Sequence, residues 1–403
     1  MSDPEIQQVS LYDLFQPRWR ADPYPLYRRL RDESPVHADP NGNGWIVSRH
    51  ADVVAVLDDA RFSAARLGGV EDESRTEQVI RRTLSKQMLF LDGADHTRLR
   101  KLFAKAFTPR RLDTFRPRIE ALAHRMLAAH AGRTIDFVGE FAVPLPVMVI
   151  ALVLGVPMDA HAQLHDWSLA FGSVISGRVL SDAETARAEA GIAAFGAYFA
   201  ALIRERRREP GDDMLSDLLA AEEAGDRLDE PELIANLILL LAAGHATTTH
   251  LLGNGLLALS REREQWRLLA DDPAIAPAAV NELLRFDAPV QLTGRAALED
   301  VELGGQRLPK GAYVYTLLGA ANRDERHFAA PDTLDVRRPV SRVLSFGHGM
   351  HTCLGALLAR IEAQIVFTSL AARYPGIEVD AQQAQRTESL SFRGLRSLPV
   401  RLA

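Results

Sequence analysis

The chain has a single cysteine, Cys353, among 403 residues. It can form no internal disulfide, and it cannot build a zinc or iron–sulfur site, which needs several ligands. Burial must therefore hold the fold together, and 47% hydrophobic residues over this length are enough to enclose a large core. Cys353 lies in the run Phe346-Gly347-His348-Gly349-Met350-His351-Thr352-Cys353-Leu354-Gly355. Glycine reaches left-handed and crowded backbone positions. Gly347, Gly349 and Gly355 would thus let the loop lie flat under a broad planar group. Backbone N–H groups turned toward the sulfur would keep it a thiolate. One such thiolate suffices as the axial ligand of a haem iron. The alternative is a buried structural cysteine in a glycine-rich turn.

Net charge is −6, with 25% charged residues, so nothing global points to nucleic acid. Residues 1–5 begin no basic-then-apolar pattern, so neither signal peptide nor anchor is expected, and the expected location is the cytoplasm. Leu237 to Leu259 carries no Asp, Glu, Lys or Arg, the length of a membrane span. Its middle is polar, with Gly244, His245, Thr247, Thr248, Thr249, His250 and Asn254. That pattern fits a helix crossing the interior of a large protein. No linker or repeat divides the chain, so one domain over 1–403 is expected.

Periodicity predicts a mostly helical chain. A strand is expected at 45–48 and a helix at 51–59. A loop with a short helix follows over 64–87, then helices at 96–107 and 115–130. Prolines 144, 146 and 157 confine any helix in the apolar stretch 141–157. Helices are expected at 160–176 and 182–208, joined by a turn at Ser176-Gly177. The longest should start after Asp229, an N-cap with Glu232 three residues on, and run to about 262. Further helices are expected at 277–286 and 355–373, with strands at 296–303 and 312–318.

The pattern Phe-Gly-x-Gly-x-His-x-Cys-x-Gly at 346–355 resembles the haem-binding loop of the cytochrome P-450 family. The resemblance extends across nearly the whole chain. It implies a mainly α fold with a small β lobe and a long central helix over haem b. It implies Cys353 as metal ligand within the Phe346–Gly355 loop. By the same resemblance His96, Arg100, Arg295 and His351 would hold the haem propionates; His96 and Arg100 are four apart on one helical face. Glu282 and Arg285 match the structural Glu-x-x-Arg element. Thr333 stands where a third, basic partner is usual, and Arg337 and Arg338 are the nearest substitutes.

Ala243-Gly244-His245-Ala246-Thr247-Thr248 matches the oxygen-activating stretch. There Gly244 would let the helix open for dioxygen, and Thr247 would be the proton-handling alcohol. Ala246 stands where the family places Asp or Glu. His245, an ordered water chain through Thr247, or the substrate would then take over proton delivery; peroxide use is the other reading. Resemblance by region places Met88, Leu89, Val174, Leu239, Ala242, Ala243, Ala246, Val290, Leu292, Thr293 and Phe392 at the substrate pocket. Any one of them could equally be core.

The implied activity inserts one oxygen atom from O2 into a small organic substrate, with electrons from ferredoxin and ferredoxin reductase. The wording His-Gly-Met-His and Ala-Asn-Arg-Asp resembles actinobacterial tailoring enzymes of secondary metabolism. Arg98, Arg100, Lys101, Lys105, Arg110 and Arg111, with no intervening acid, form a candidate basic patch for an acidic partner. The third possibility is a haem-binding sensor or recruitment protein without chemistry.

Overall fold

The computed structural model describes residues 5–42, 44–65, 78, 84–157, 161–175, 180–223, 228–389 and 391–403. The fold is mainly α. Its longer described helices are α1 (Tyr24–Glu33), α2 (His50–Asp58), α3 (Gly93–Ala106), α4 (Pro109–Ala128), α5 (Pro144–Leu154) and α6 (His161–Ile175). They continue with α7 (Asp182–Arg208), α8 (Met214–Glu223), α9 (Glu230–Arg261), α10 (Arg263–Asp271), α11 (Ala276–Phe286) and α12 (Ala356–Arg373).

The start of α9 follows from its sequence. The Asp229 side chain accepts from Glu232 N–H, and Glu232 reaches back to Asp229 N–H. From Leu251 to Leu259 every residue of α9 is buried, so that half is surrounded by protein. α9 packs against α5, α7, α11 and α12. By length and composition α7 and α9 could each cross a membrane; both pack among the helices of the body.

Proline placement accounts for two departures from expectation. α4 starts at Pro109, not near Phe115: Thr108 caps it, the first-turn proline costs no hydrogen bond, and Pro117 is carried inside. Pro144 and Pro146 both sit in the first turn of α5, which therefore forms one unbroken helix. α1, α8 and α10 were not foreseen. The expected loop at 64–87 lies mostly outside the described residues, as does the turn at Ser176-Gly177.

The β lobe is a five-stranded sheet in the order β1 (Val36–Ala38), β2 (Trp45–Val47), β5 (Tyr313–Leu317), β4 (Leu292–Ala297), β3 (Phe62–Ser63). Only β2 and β5 pair in parallel. The strand expected over 296–303 divides, because the chain turns at the exposed Leu298 before a separate hairpin at 301–308. One large core runs through the helices; two smaller clusters lie under the sheet and under the N-terminal segment.

Candidate functional site

The Cys353 loop is held by short-range geometry. Cys353 N–H donates to Phe346 O at 2.8 Å, closing the loop on itself. Gly347 and Gly349 take φ of +72° and +68°. A Cβ on Gly349 would stand 2.5 Å from Leu57 O, so α2 needs glycine there. Gly355 departs from expectation: its φ is −81°, and a Cβ would meet open space. Its contribution is its N–H, which with that of Ala356 donates to the sulfur at the start of α12. Burial pushes the Cys353 thiol up; those two N–H groups and the Arg100 and Arg360 guanidiniums pull the other way. The residue is nevertheless accessible.

Basic side chains gather beside it. His96 and His351 approach with ring centroids 4.2 Å apart. His351 Nε2 is 3.3 Å from Asp92 Oδ1. Arg295 is buried, with Nη1 donating to Gly294 O at 2.8 Å. Burial, then His96 and Arg295, drive the His351 pKa down to about 4 despite Asp92. Burial and the neighbouring Arg100 and Arg295 likewise lower His96, and burial lowers Arg100. His96 Nδ1 is buried without a hydrogen-bond partner. Buried basic groups repelling one another around an orphaned nitrogen form a receptor for anionic groups. The site thus fits a planar, dianionic, thiolate-ligated cofactor.

The middle of α9 is its open part. Ala243 is exposed, and Gly244, Ala246, Thr247 and His250 are half-buried, between the buried Leu241 and Ala242 and the buried run Leu251 to Leu259. Of these, Ala243, Ala246, Thr247 and His250 share one stripe by helical spacing. α9 runs without a break: Thr247 Oγ1 donates to Ala243 O at 3.0 Å and Thr248 Oγ1 to Gly244 O at 3.1 Å. The expected opening at Gly244 is not present. That glycine instead lets α9 approach α5, since a Cβ would lie 3.3 Å from Ile150 Cγ1. His245 is buried, its Nδ1 3.3 Å from Leu241 O.

The expected pocket residues divide. Phe392 and Val290 form a β-bridge, and both are half-buried. Thr293 is half-buried and Leu89 exposed, while Met88, Leu239 and Ala242 belong to the main core. Leu292 points away, because its strand alternates and turns this side chain into the N-terminal cluster with Leu26 and Tyr27. The side chain of Val174 lies outside the description.

The third partner of Glu282 is Arg338. Arg285 bonds Glu282 at 2.7 and 2.8 Å, and Arg338 Nε donates to Glu282 Oε2 at 3.0 Å. Thr333 contributes its carbonyl, which accepts from Arg285 Nη2 at 3.2 Å. The basic patch is smaller than expected. Arg98 pairs with Glu232, and Arg111 with Asp212 and Asp217, while Lys101, Lys105 and Arg110 remain at the surface.

Fold and site together define a haem-thiolate enzyme. The cytochrome P450 family model matches residues 274–395. The chain is 41% identical to nocardicin C N-oxygenase of Nocardia uniformis, over 94% of this chain and 95% of that protein. The crystal structure of CalO2 superposes with a TM-score of 0.91 at 34% identity, over 98% and 99% of the two chains. P450BioI, in complex with hexadec-9Z-enoic acid ligated acyl carrier protein, superposes at 0.88 with 35% identity, over 96% and 99%. The chain belongs to the cytochrome P450 family and is a monooxygenase of that family.

Proposed function

We propose that the chain is a single-domain cytoplasmic monooxygenase. It inserts one oxygen atom from O2 into a small organic substrate of secondary metabolism. It binds haem b and takes electrons from ferredoxin and its reductase. The observation that carries this reading is an accessible cysteine whose sulfur accepts from the Gly355 and Ala356 N–H groups, with the buried basic cluster that includes Arg100 close by. Cys353 would bind the iron through its thiolate, with the Gly355 and Ala356 N–H groups holding the charge on sulfur. His96, Arg100, Arg295 and His351 would neutralise the haem carboxylates. Bound there, haem would supply the activation of dioxygen.

The protein's own part is to place the substrate, exclude water and move protons. Ala243 and Ala246 keep side chains short on the α9 wall. Thr247, bonded to Ala243 O, keeps its oxygen lone pairs for a water hydrogen bond. Ala246 neither gives nor takes a proton, so water must bridge that gap. The same residue favours a second reading, peroxide as oxidant in place of O2 and reductase.

For the electron partner, Lys101, Lys105 and Arg110 are exposed, and Met350 of the Cys353 loop is 48% exposed. Exposed basic side chains on α3 and α4 are features that an acidic ferredoxin would use. P450BioI is in complex with a fatty acid ligated to acyl carrier protein, so carrier-linked compounds belong in the search beside free ones. Titrating the ferric protein with a natural-product library, free and carrier-linked, tests the reading. A saturable Soret shift with one scaffold, followed by its oxygenation under O2 and reductant, is the expected outcome. Turnover by peroxide at a rate matching the reductase system would establish the second reading instead.

A further inference from the structure

A second recess lies where the N-terminal segment meets the loop that carries Phe392. It is a partly open hollow of about 30 Å³. Among the described residues that line it, Arg20, Arg386 and Arg393 are cationic and none is acidic. None of the residues that would hold haem lines it. Gly394, also in its wall, abuts α9 on the other side: a Cβ there would lie 1.9 Å from His250 Nδ1.

Asp287 stands behind this wall. It accepts from Arg393 Nε at 2.6 Å and from Arg386 Nη2 at 3.2 Å, so one carboxylate serves two guanidiniums. Arg393 is fully engaged, since its Nη1 and Nη2 donate to the Arg20 and Ala21 carbonyls. Burial works against its charge, but Asp287 and Tyr24 more than offset that and raise its pKa. Arg386 is left short: burial lowers its pKa despite Asp287, and Arg393 repels it. Its Nη1 donates to Asn254 Oδ1 at 2.8 Å, while its Nε has no acceptor among the described residues and is not sealed from solvent. Arg20 pairs with Glu388, whose side chain is 82% exposed, so that pair is weak. The Ser389 hydroxyl accepts from Phe392 N–H at 3.2 Å and keeps its own hydrogen to donate.

Spare donors around an uncompensated positive charge suit an anion. Volume selects the kind. A water needs about 10–15 Å³ of such space, so the hollow seats roughly two water-sized atoms. A carboxylate offers that pair of oxygens, whereas a phosphate group offers more than fit. Leu14, Trp19 and Pro23 add an apolar rim for the rest of the ligand. We propose that this hollow binds the carboxylate head of a small amphipathic acid, taken by Arg386 Nε, Arg20 and the Ser389 hydroxyl. Its apolar body lies along Leu14, Trp19 and Pro23. The ligand joins the N-terminal segment to the loop that carries Phe392. Phe392 in turn pairs with Val290, and its ring lies 6.4 Å from that of His250 on the open stripe of α9. The inference concerns binding and does not rest on the monooxygenase reading.

The test titrates hexanoate into the ferric holoenzyme by calorimetry at fixed ionic strength, with and without saturating 4-phenylimidazole on the iron. One saturable site that persists with the iron side filled is the expected result. Arg20→Gln and Ser389→Ala should each weaken it about tenfold, the loss expected when a charged group gives up one hydrogen bond. Both positions are half-buried, and an unaltered Soret band of the phenylimidazole complexes verifies that the variants fold. Inorganic phosphate should bind at least tenfold more weakly than hexanoate. Hexanoate should also slow hydrogen exchange in peptides covering 19–27 and 386–394. The absence of a saturable site overturns the proposal, as does unchanged affinity in either variant. So does phosphate binding as tightly as hexanoate, or protection confined to other peptides. Displacement of hexanoate by phenylimidazole would put the acid beside the iron and overturn it too. No turnover is measured, so the monooxygenase reading stands or falls separately.

Discussion

Gly349 shows how much one backbone position can hold. Its φ of +68° disfavours any side chain, and a Cβ would collide with Leu57 O at 2.5 Å. Gly349→Ala should cost about 1–3 kcal/mol and weaken haem retention, read by denaturant titration and by haem content after purification. His250 makes a different demand. Its folded pKa of about 4 lies below the unfolded value near 6.5, so the fold favours its neutral form. That contribution is complete above pH 6.5 and is lost as pH falls toward 4, up to about 3 kcal/mol. The apoprotein should weaken across that window, and His250→Phe should flatten this part of the stability curve. At this scale the cysteine loop was legible because its residues are neighbours in sequence. The contact between His250 and Gly394 was not, since it joins segments distant along the chain.

Among the elements, α9 and the Glu282 trio carry the clearest consequences. The boundaries of α9 were readable from Asp229 and Glu232, because capping is local chemistry. Replacing Asp229 by Ala should cost about 1 kcal/mol, measured by thermal melting. α8 and α10 escaped reading because helices of ten and nine residues depend on tertiary burial. Arg337 and Arg338 were both candidates for the third partner, and the choice of Arg338 is decided only when the chain folds back past Pro331 and Thr333 to Glu282. Glu282→Ala would leave the buried Arg285 charge uncompensated and should cost about 3–5 kcal/mol. Arg338→Met, at a less buried position, should cost clearly less in the same denaturation experiment. A reversed order would place the trio's weight on Arg338.

Across the whole molecule, Asp287 ties distant segments together. It accepts from Tyr24 at 2.8 Å, Arg393 at 2.6 Å and Arg386 at 3.2 Å, joining α1, the end of α11 and the loop that carries Phe392. Asp287→Asn should therefore loosen the N-terminal segment and the loop that carries Phe392 at once. Faster hydrogen exchange in residues 19–30 and 386–394 together is the expected signature; exchange confined to one segment would contradict it. The basic cradle has a comparable reach. His96 belongs to the first third of the chain and His351 to its last sixth, yet their rings meet at 4.2 Å. During synthesis the first half of that receptor leaves the ribosome long before its counterpart exists. Haem capture must then be a late event, and a nascent chain stalled before Cys353 should bind none.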